Sequence, residues 1–121
     1  ASVDASDLRR NAPFTLSGGQ KRRVAIATVL AMDPSVLVMD EPTSNLDPRA
    51  RRQIISLIGS FPHTTLIATH DLDMVLDLCE RTIVMSGGRI AADDATERVF
   101  GDRRLLQECG LEVPWRMRTR V

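Results

Sequence analysis

VLVMDEPTSNLDP, residues 36–48, is the stretch on which the fold turns. VLVM is a short continuous apolar run, as in a strand covered on both faces. It ends on Asp40-Glu41-Pro42, two adjacent carboxylates and a proline. Asp47-Pro48 then supplies a helix N-cap and a proline at the first helical position. Ala50, Ile54, Leu57 and Ile58 follow at helical spacing. The order is strand, acidic turn, helix.

Upstream lies FTLSGGQKRRVAIATVL, residues 14–30. Ser17 and Gln20 have the spacing of a capping box, so a helix starts there. Lys21, Arg22 and Arg23 occupy its first turn, where the helix dipole disfavours cations. Something negative is expected to offset them. From Val24 to Met32 nearly every residue is apolar or small, which predicts a helix buried on most sides. Asp33-Pro34 stops it. Residues 1–15 are polar and read as irregular or loosely helical.

Downstream, TTLIAT (64–69) is a second β-rich run ending at His70-Asp71. Leu72, Val75, Leu76 and Cys79 mark an amphipathic helix. TIVM (82–85) is a third strand, and Gly87-Gly88 permits a two-residue hairpin into residues 89–92. Short helices are predicted over 96–100 and 102–109, with Gly110 as the C-terminal cap. This alternation argues for an α/β fold with a largely parallel sheet flanked by helices. In such sheets ligands sit at the carboxyl ends of strands. Asp40, Glu41 and His70 stand at those ends.

Bulk properties narrow the function. The 121 residues fit one domain or part of one, and 43% hydrophobic with 26% charged residues is an ordinary soluble composition. A formal net charge of zero gives no global basic field, so nucleic acid is not an expected partner. No apolar run approaches the ~18 residues of a bilayer span. The first residues, ASVDASDLRRNAP, lack a signal-peptide layout. Cys79 and Cys109 form no metal or redox motif and read as buried free thiols in a reducing compartment. His63 and His70 have no zinc spacing.

The chemistry concentrates at the strand ends. Adjacent carboxylates after a buried strand are costly unless a cation or donors meet them. Asp40 can hold magnesium, directly or through water. Glu41 can orient or deprotonate an attacking water. His70 can donate a hydrogen bond to a phosphate oxygen, and Asp71 can cap the next helix. Each feature alone has a plainer reading. Asp-Glu-Pro can be a solvated turn, His70 a structural or surface histidine, and Ser17 to Gln20 a flexible turn and cap. The basic triplet can be a solvated helix end paired with acidic neighbours. Arg49, Arg51, Arg52, Arg116, Arg118 and Arg120 read as solvated faces.

Together, in this order, the motifs closely resemble the ATPase subunit of ATP-binding cassette (ABC) transporters. LSGGQ resembles that family's signature motif and VLVMDE its Walker B segment with the catalytic glutamate. SNLD (44–47) resembles the D-loop, with Asn45 in place of a smaller residue, and His70 matches the switch histidine. The wording around these motifs is most similar to the energy-coupling-factor and cobalt or nickel importer branch. The resemblance implies ATP and Mg2+ as cofactors, with Glu41 and His70 catalytic and Asp40 at the metal through water. Ser17, Gly18, Gly19, Gln20 and Asp47 would bind nucleotide. The signature loop would face the γ-phosphate of ATP on a second ABC ATPase subunit, the cations adding positive potential nearby. A transmembrane subunit would be the other partner, and the location cytoplasmic, peripheral at the inner face of the cell membrane.

No G-x-x-x-x-G-K-[ST] phosphate cradle occurs in the sequence. The resemblance therefore implies a partial P-loop NTPase fold that lacks the Walker A strand and loop, the C-terminal portion of a nucleotide-binding domain over 1–121. Within it, 14–32 would hold the signature helix, 36–92 the Walker B, D-loop, switch histidine and C-terminal strands, and 93–121 a helical tail. Two functional readings follow. One is a piece of an ATPase that couples hydrolysis to import of a metal ion or vitamin. The other is an inactive stand-alone module that self-associates or binds a partner cassette. By the same resemblance the absent strand leaves exposed edges. These predict a homo-oligomer, with re-closure of residues 82–85 onto 65–69 as the rival.

Overall fold

The computed structural model describes residues 18–118. In chain order these form α1 (Gly18–Ala31), β1 (Val36–Asp40), α2 (Pro48–Gly59), β2 (Thr64–Ala68) and α3 (Leu72–Leu78). Then come β3 (Arg81–Ser86), β4 (Arg89–Ala95), α4 (Thr96–Gly101), α5 (Arg103–Glu108) and α6 (Trp115–Arg118). The α/β class holds. The chain divides into two compact units, one reaching Thr69 and one starting at His70.

In the first unit β1 and β2 pair in parallel, from Val36 opposite Thr64 to Asp40 opposite Ala68. The connection carries α2, as a parallel crossover requires. Asp47 caps that helix, its Oδ1 accepting from the Ala50 N–H at 2.8 Å, with Pro48 at the start. Ile54, Leu57 and Ile58 are its buried stripe. Two expectations are corrected here. The strand is covered on one face only: Leu37 is buried, whereas Val36, Val38 and Leu66 are 53%, 68% and 59% exposed. Successive strand residues point to opposite faces, and within the described residues only one face meets a core. Likewise α1 is not buried on most sides, since Ile26 is its one buried residue. Past its end Asp33 takes a left-handed φ of 48° before Pro34, and its carboxylate meets His63 Nε2 at 3.2 Å.

The second unit has its own core of Val75, Val84, Val99, Phe100 and Leu106. Asp71 caps α3 through the Met74 N–H at 3.1 Å, and Asp102 caps α5 through Leu105 at the same distance. β3 and β4 form an antiparallel hairpin with a register shift between Val84 and Met85. Its turn residues Gly87 and Gly88 have φ of 57° and 75°, the left-handed pair that a type I′ turn needs. β4 runs to Ala95, beyond the expected residue 92, and Arg81 forks onto Asp93 at 2.8 and 2.7 Å. That guanidinium holds the Asp93 carboxyl below its usual range.

The described strands make two two-stranded sheets, β1 with β2 in the first unit and β3 with β4 in the second. The glycine turn gives β3 a partner a few residues away, which costs little loop entropy. Within the expected helical tail, sequence reading marked no separate helix at α6. This helix is held by Asp73, whose carboxylate accepts from the Trp115 and Arg116 N–H groups, both at 3.2 Å. Arg116 and Arg118 of the basic tail are exposed, as expected, and also pair, Arg116 with Asp77 and Arg118 with Glu112, each at 2.8 Å; Arg120 lies outside the described residues. Cys79 and Cys109 are free thiols but half-buried rather than buried. Burial pushes the Cys79 thiol up. Among the described residues no helix is long and apolar enough to cross a membrane.

Candidate functional site

The site begins where β1 ends. Asp40 is exposed, and its carboxylate has no hydrogen bond or ion pair among the described residues. The next residue breaks the strand, because Glu41 has φ of 48°. A non-glycine residue there is strained by ~1–3 kcal/mol and persists only where its surroundings fix it. They do so here. The Glu41 N–H donates to Ala68 O at 2.8 Å, continuing the β1–β2 ladder. Thr69 Oγ1 donates to Glu41 Oε2 at 2.9 Å. Ser44 folds back on the Glu41 carbonyl through its N–H at 3.3 Å and its hydroxyl at 3.1 Å. Asn45 is left-handed again, φ 59°, before the Asp47 cap. The acidic turn is thus wound tightly between β1 and α2, with Pro42 and Thr43 buried.

Two of the three first-turn cations meet this turn or its helix. Arg22 donates through Nη1 to the Pro42 carbonyl at 3.2 Å and also to the Ser44 carbonyl. Arg23 donates to Gln53 Oε1 on α2 at 2.9 Å, while its buried Nε has no partner among the described residues. Beside the positive potential expected of the triplet, two of its members thus make structural bonds. Lone-pair oxygens of the acidic turn and α2, not a carboxylate, receive Arg22 and Arg23; Lys21 is exposed. Arg22, Ile26, Met39, Asp40, Glu41 and Ser44 line a cleft of ≈ 280 Å³.

The glycines divide in the same way. A Cβ on Gly18 would meet nothing within 4 Å, but one on Gly19 would lie 2.8 Å from Ala50 Cβ. Gly19 lets α1 and α2 touch at their N-terminal ends. Gln20 is half-buried and bonded, and Asp47 is exposed with its carboxylate on the α2 cap. Ser17 lies outside the described residues. His70 opens the second unit, two residues past β2 in sequence. There it is exposed and borders a cleft of ≈ 340 Å³ with Asp73, Trp115 and Arg118. The first unit therefore assembles Asp40, Glu41, Gly19 and Asp47 around one turn. Sequence reading singled out Arg22 as one of three first-turn cations but not its acceptors, and it missed Thr69 and Gln53. Of these two only Thr69 carried a signal, a hydroxyl beside the strand end next to His70.

The arrangement can present two carboxylates at a strand end, one free and one aimed by a hydroxyl. Among the described residues no three of His, Cys, Asp and Glu gather as a metal cage. Magnesium does not require one, since it keeps waters and takes one or two carboxylates beside substrate phosphates. The free Asp40 carboxylate fits that donor set.

Comparison with known proteins agrees. Residues 1–44 match the family described as ABC transporter. A Geobacter sulfurreducens protein named for ABC transporter ATP binding is 57% identical over 115 residues, 95% of this chain and 46% of that protein. The energy-coupling factor transporter ATP-binding protein EcfA2 of Clostridium perfringens is 41% identical over 116 residues, 93% of this chain and 41% of its own. The solved structure of cbiO1 from Clostridium perfringens, described as part of the ABC transporter complex cbiONQ, is similar with a TM-score of 0.71 and 38% identity. The match covers 85% of this chain and 43% of that one. The chain thus spans less than half the length of these relatives. On sequence and fold together, the chain is similar to the ATP-binding proteins of ABC transporters over part of their length.

Proposed function

We propose that these residues are part of an ATP-binding subunit that couples ATP hydrolysis to import, in the manner of the EcfA2 and cbiO1 relatives. The observation that carries this reading is Glu41 at the end of β1, its backbone N–H bonded to the Ala68 carbonyl and its carboxylate to the Thr69 hydroxyl. A carboxylate so held can orient a water and take its proton. Phosphoryl transfer asks the protein mainly for such positioning and for charge stabilisation.

In this reading Glu41 is the general base and Asp40 holds magnesium through water. Bound magnesium would neutralise charge developing on the phosphates. His70 donates to the γ-phosphate. Gly18 and Gly19, with Ser17 and Gln20, present backbone N–H groups at a helix start to the nucleotide of a second ATPase subunit, as such starts suit anions. Asp47 has the same partner-facing role in addition to its capping bond. The remaining partner is a transmembrane subunit, which holds the ATP-binding subunit at the inner face of the cell membrane, and the cargo class is a metal ion or vitamin.

Uptake into vesicles tests this directly. A complete ATP-binding protein with these residues, reconstituted with its transmembrane partners, is expected to drive ATP-dependent uptake of cobalt, nickel or a vitamin. Glu41→Gln should abolish it. ATP-independent uptake, or uptake unchanged by the substitution, would contradict the proposal.

A further inference from the structure

Arg22 ties α1 to the turn carrying Glu41 through two backbone carbonyls. Its guanidinium donates to Pro42 O at 3.2 Å and to Ser44 O, one residue after Glu41 and three after it. Between those carbonyls the turn holds itself by the Ser44 bonds to Glu41 O, and it is bounded by two left-handed non-glycine residues, Glu41 and Asn45. Such a turn has several accessible windings in isolation. A guanidinium whose Nη1 bonds two carbonyls at once selects one of them, which a lysine ammonium, one bond shorter along the side chain, does less well. Arg22 also lines the cleft that contains Asp40 and Glu41.

We infer that Arg22 is a positioning residue: it sets the winding of the 41–45 turn, and so the placement of the Glu41 carboxylate, from the helix that carries the Gly18-Gly19 pair. The inference rests on the functional reading above, in which Glu41 acts on water. It assigns Arg22 no contact with nucleotide. Its charge is incidental to the role, and its geometry is the point. Arg23, which bonds Gln53 on α2, fastens the same helix without touching the turn.

The test compares Arg22→Lys, Arg22→Gln and Arg23→Lys. In the 121-residue chain, hydrogen exchange at the Ser44 amide should speed up in both Arg22 variants and stay near wild type in Arg23→Lys. In a complete ATP-binding protein carrying these residues, misplacing a catalytic group by about an ångström costs on the order of 10²-fold. Both Arg22 variants should therefore lose kcat on that order, with KM for ATP within about threefold of wild type. Arg22→Lys is decisive, because it keeps the charge but ends one bond short of the Nη1 position that meets both carbonyls. Near-wild-type kcat in Arg22→Lys would overturn the inference in favour of a purely electrostatic role. Equal losses in Arg22→Lys and Arg23→Lys would overturn it in favour of general loosening of α1. If the wild-type protein shows no turnover, the functional reading fails and the positioning role fails with it. Turnover in wild type and in Arg22→Gln alike would remove the positioning role alone.

Discussion

Gly19→Ala probes the contact on which the first unit is built. The new Cβ would stand 2.8 Å from Ala50 Cβ and 3.8 Å from a Leu46 methyl. Carbon atoms rest at ~3.5–4.0 Å, so α1 and α2 must part by about 1 Å. Forcing extra carbon into a packed contact costs ~1–3 kcal/mol. Alanine recovers up to ~1 kcal/mol of helix propensity over glycine, and less in a first turn. The net expectation is a loss of about 0.5–2 kcal/mol. Urea unfolding of the chain reads it as a lower midpoint at unchanged slope. Gly18→Ala is the control, since its Cβ meets nothing within 4 Å; it should be neutral or slightly stabilising. Ala50→Gly removes the opposing carbon. The Gly19→Ala/Ala50→Gly pair should therefore be more stable than the sum of single effects predicts, by about 1 kcal/mol. Additive single effects, or a Gly19→Ala chain as stable as wild type, would refute the packing argument.

Three further outcomes are expected. Asp47→Ala should cost ~1 kcal/mol through the lost α2 cap, whereas Asp47→Asn keeps the cap; a nucleotide role for Asp47 would then show as a turnover defect in Asp47→Asn without a stability change. The 121-residue chain alone, with no Gly-rich lysine cradle in its sequence, should show no magnesium-dependent ATP turnover in a coupled assay; turnover abolished by Glu41→Gln would contradict this. Light scattering on the same chain at micromolar concentration should give a two-fold dimer, since Val36, Val38 and Leu66 form an exposed apolar strip beside β-strand edges; a clean monomer with cooperative melting would refute self-association.

Local rules carried much of the fold. Asp47-Pro48, Asp71 and Gly87-Gly88 each act through a few neighbouring atoms, so sequence placed the α2 and α3 starts and the hairpin. Asp40 and Glu41 were also legible, because a strand end is fixed by the run before it. What stayed hidden depends on partners distant in sequence. Nothing near Arg22 indicates that its acceptors are carbonyls of residues 42 and 44. Gly19 looks like any flexible glycine until Ala50 is opposite it. The α6 helix rests on Asp73, far upstream of it. Burial of VLVM was misread for a related reason: an apolar run shows that a strand can be covered twice, and the second cover must come from elsewhere.

The central claim is that the Glu41 carboxylate, held by Thr69 on a backbone fixed to Ala68, acts on the water that attacks ATP. The most direct measurement is single-turnover ATP hydrolysis by a complete ATP-binding protein with these residues, wild type against Glu41→Gln. The amide matches the carboxylate in shape and can still accept from Thr69, so ATP binding should be retained. A positioned general base contributes ~10²–10⁴-fold, and the account predicts a rate loss in that range with ATP trapped on the protein. A loss of less than about tenfold, with ATP released as fast as from wild type, would contradict it.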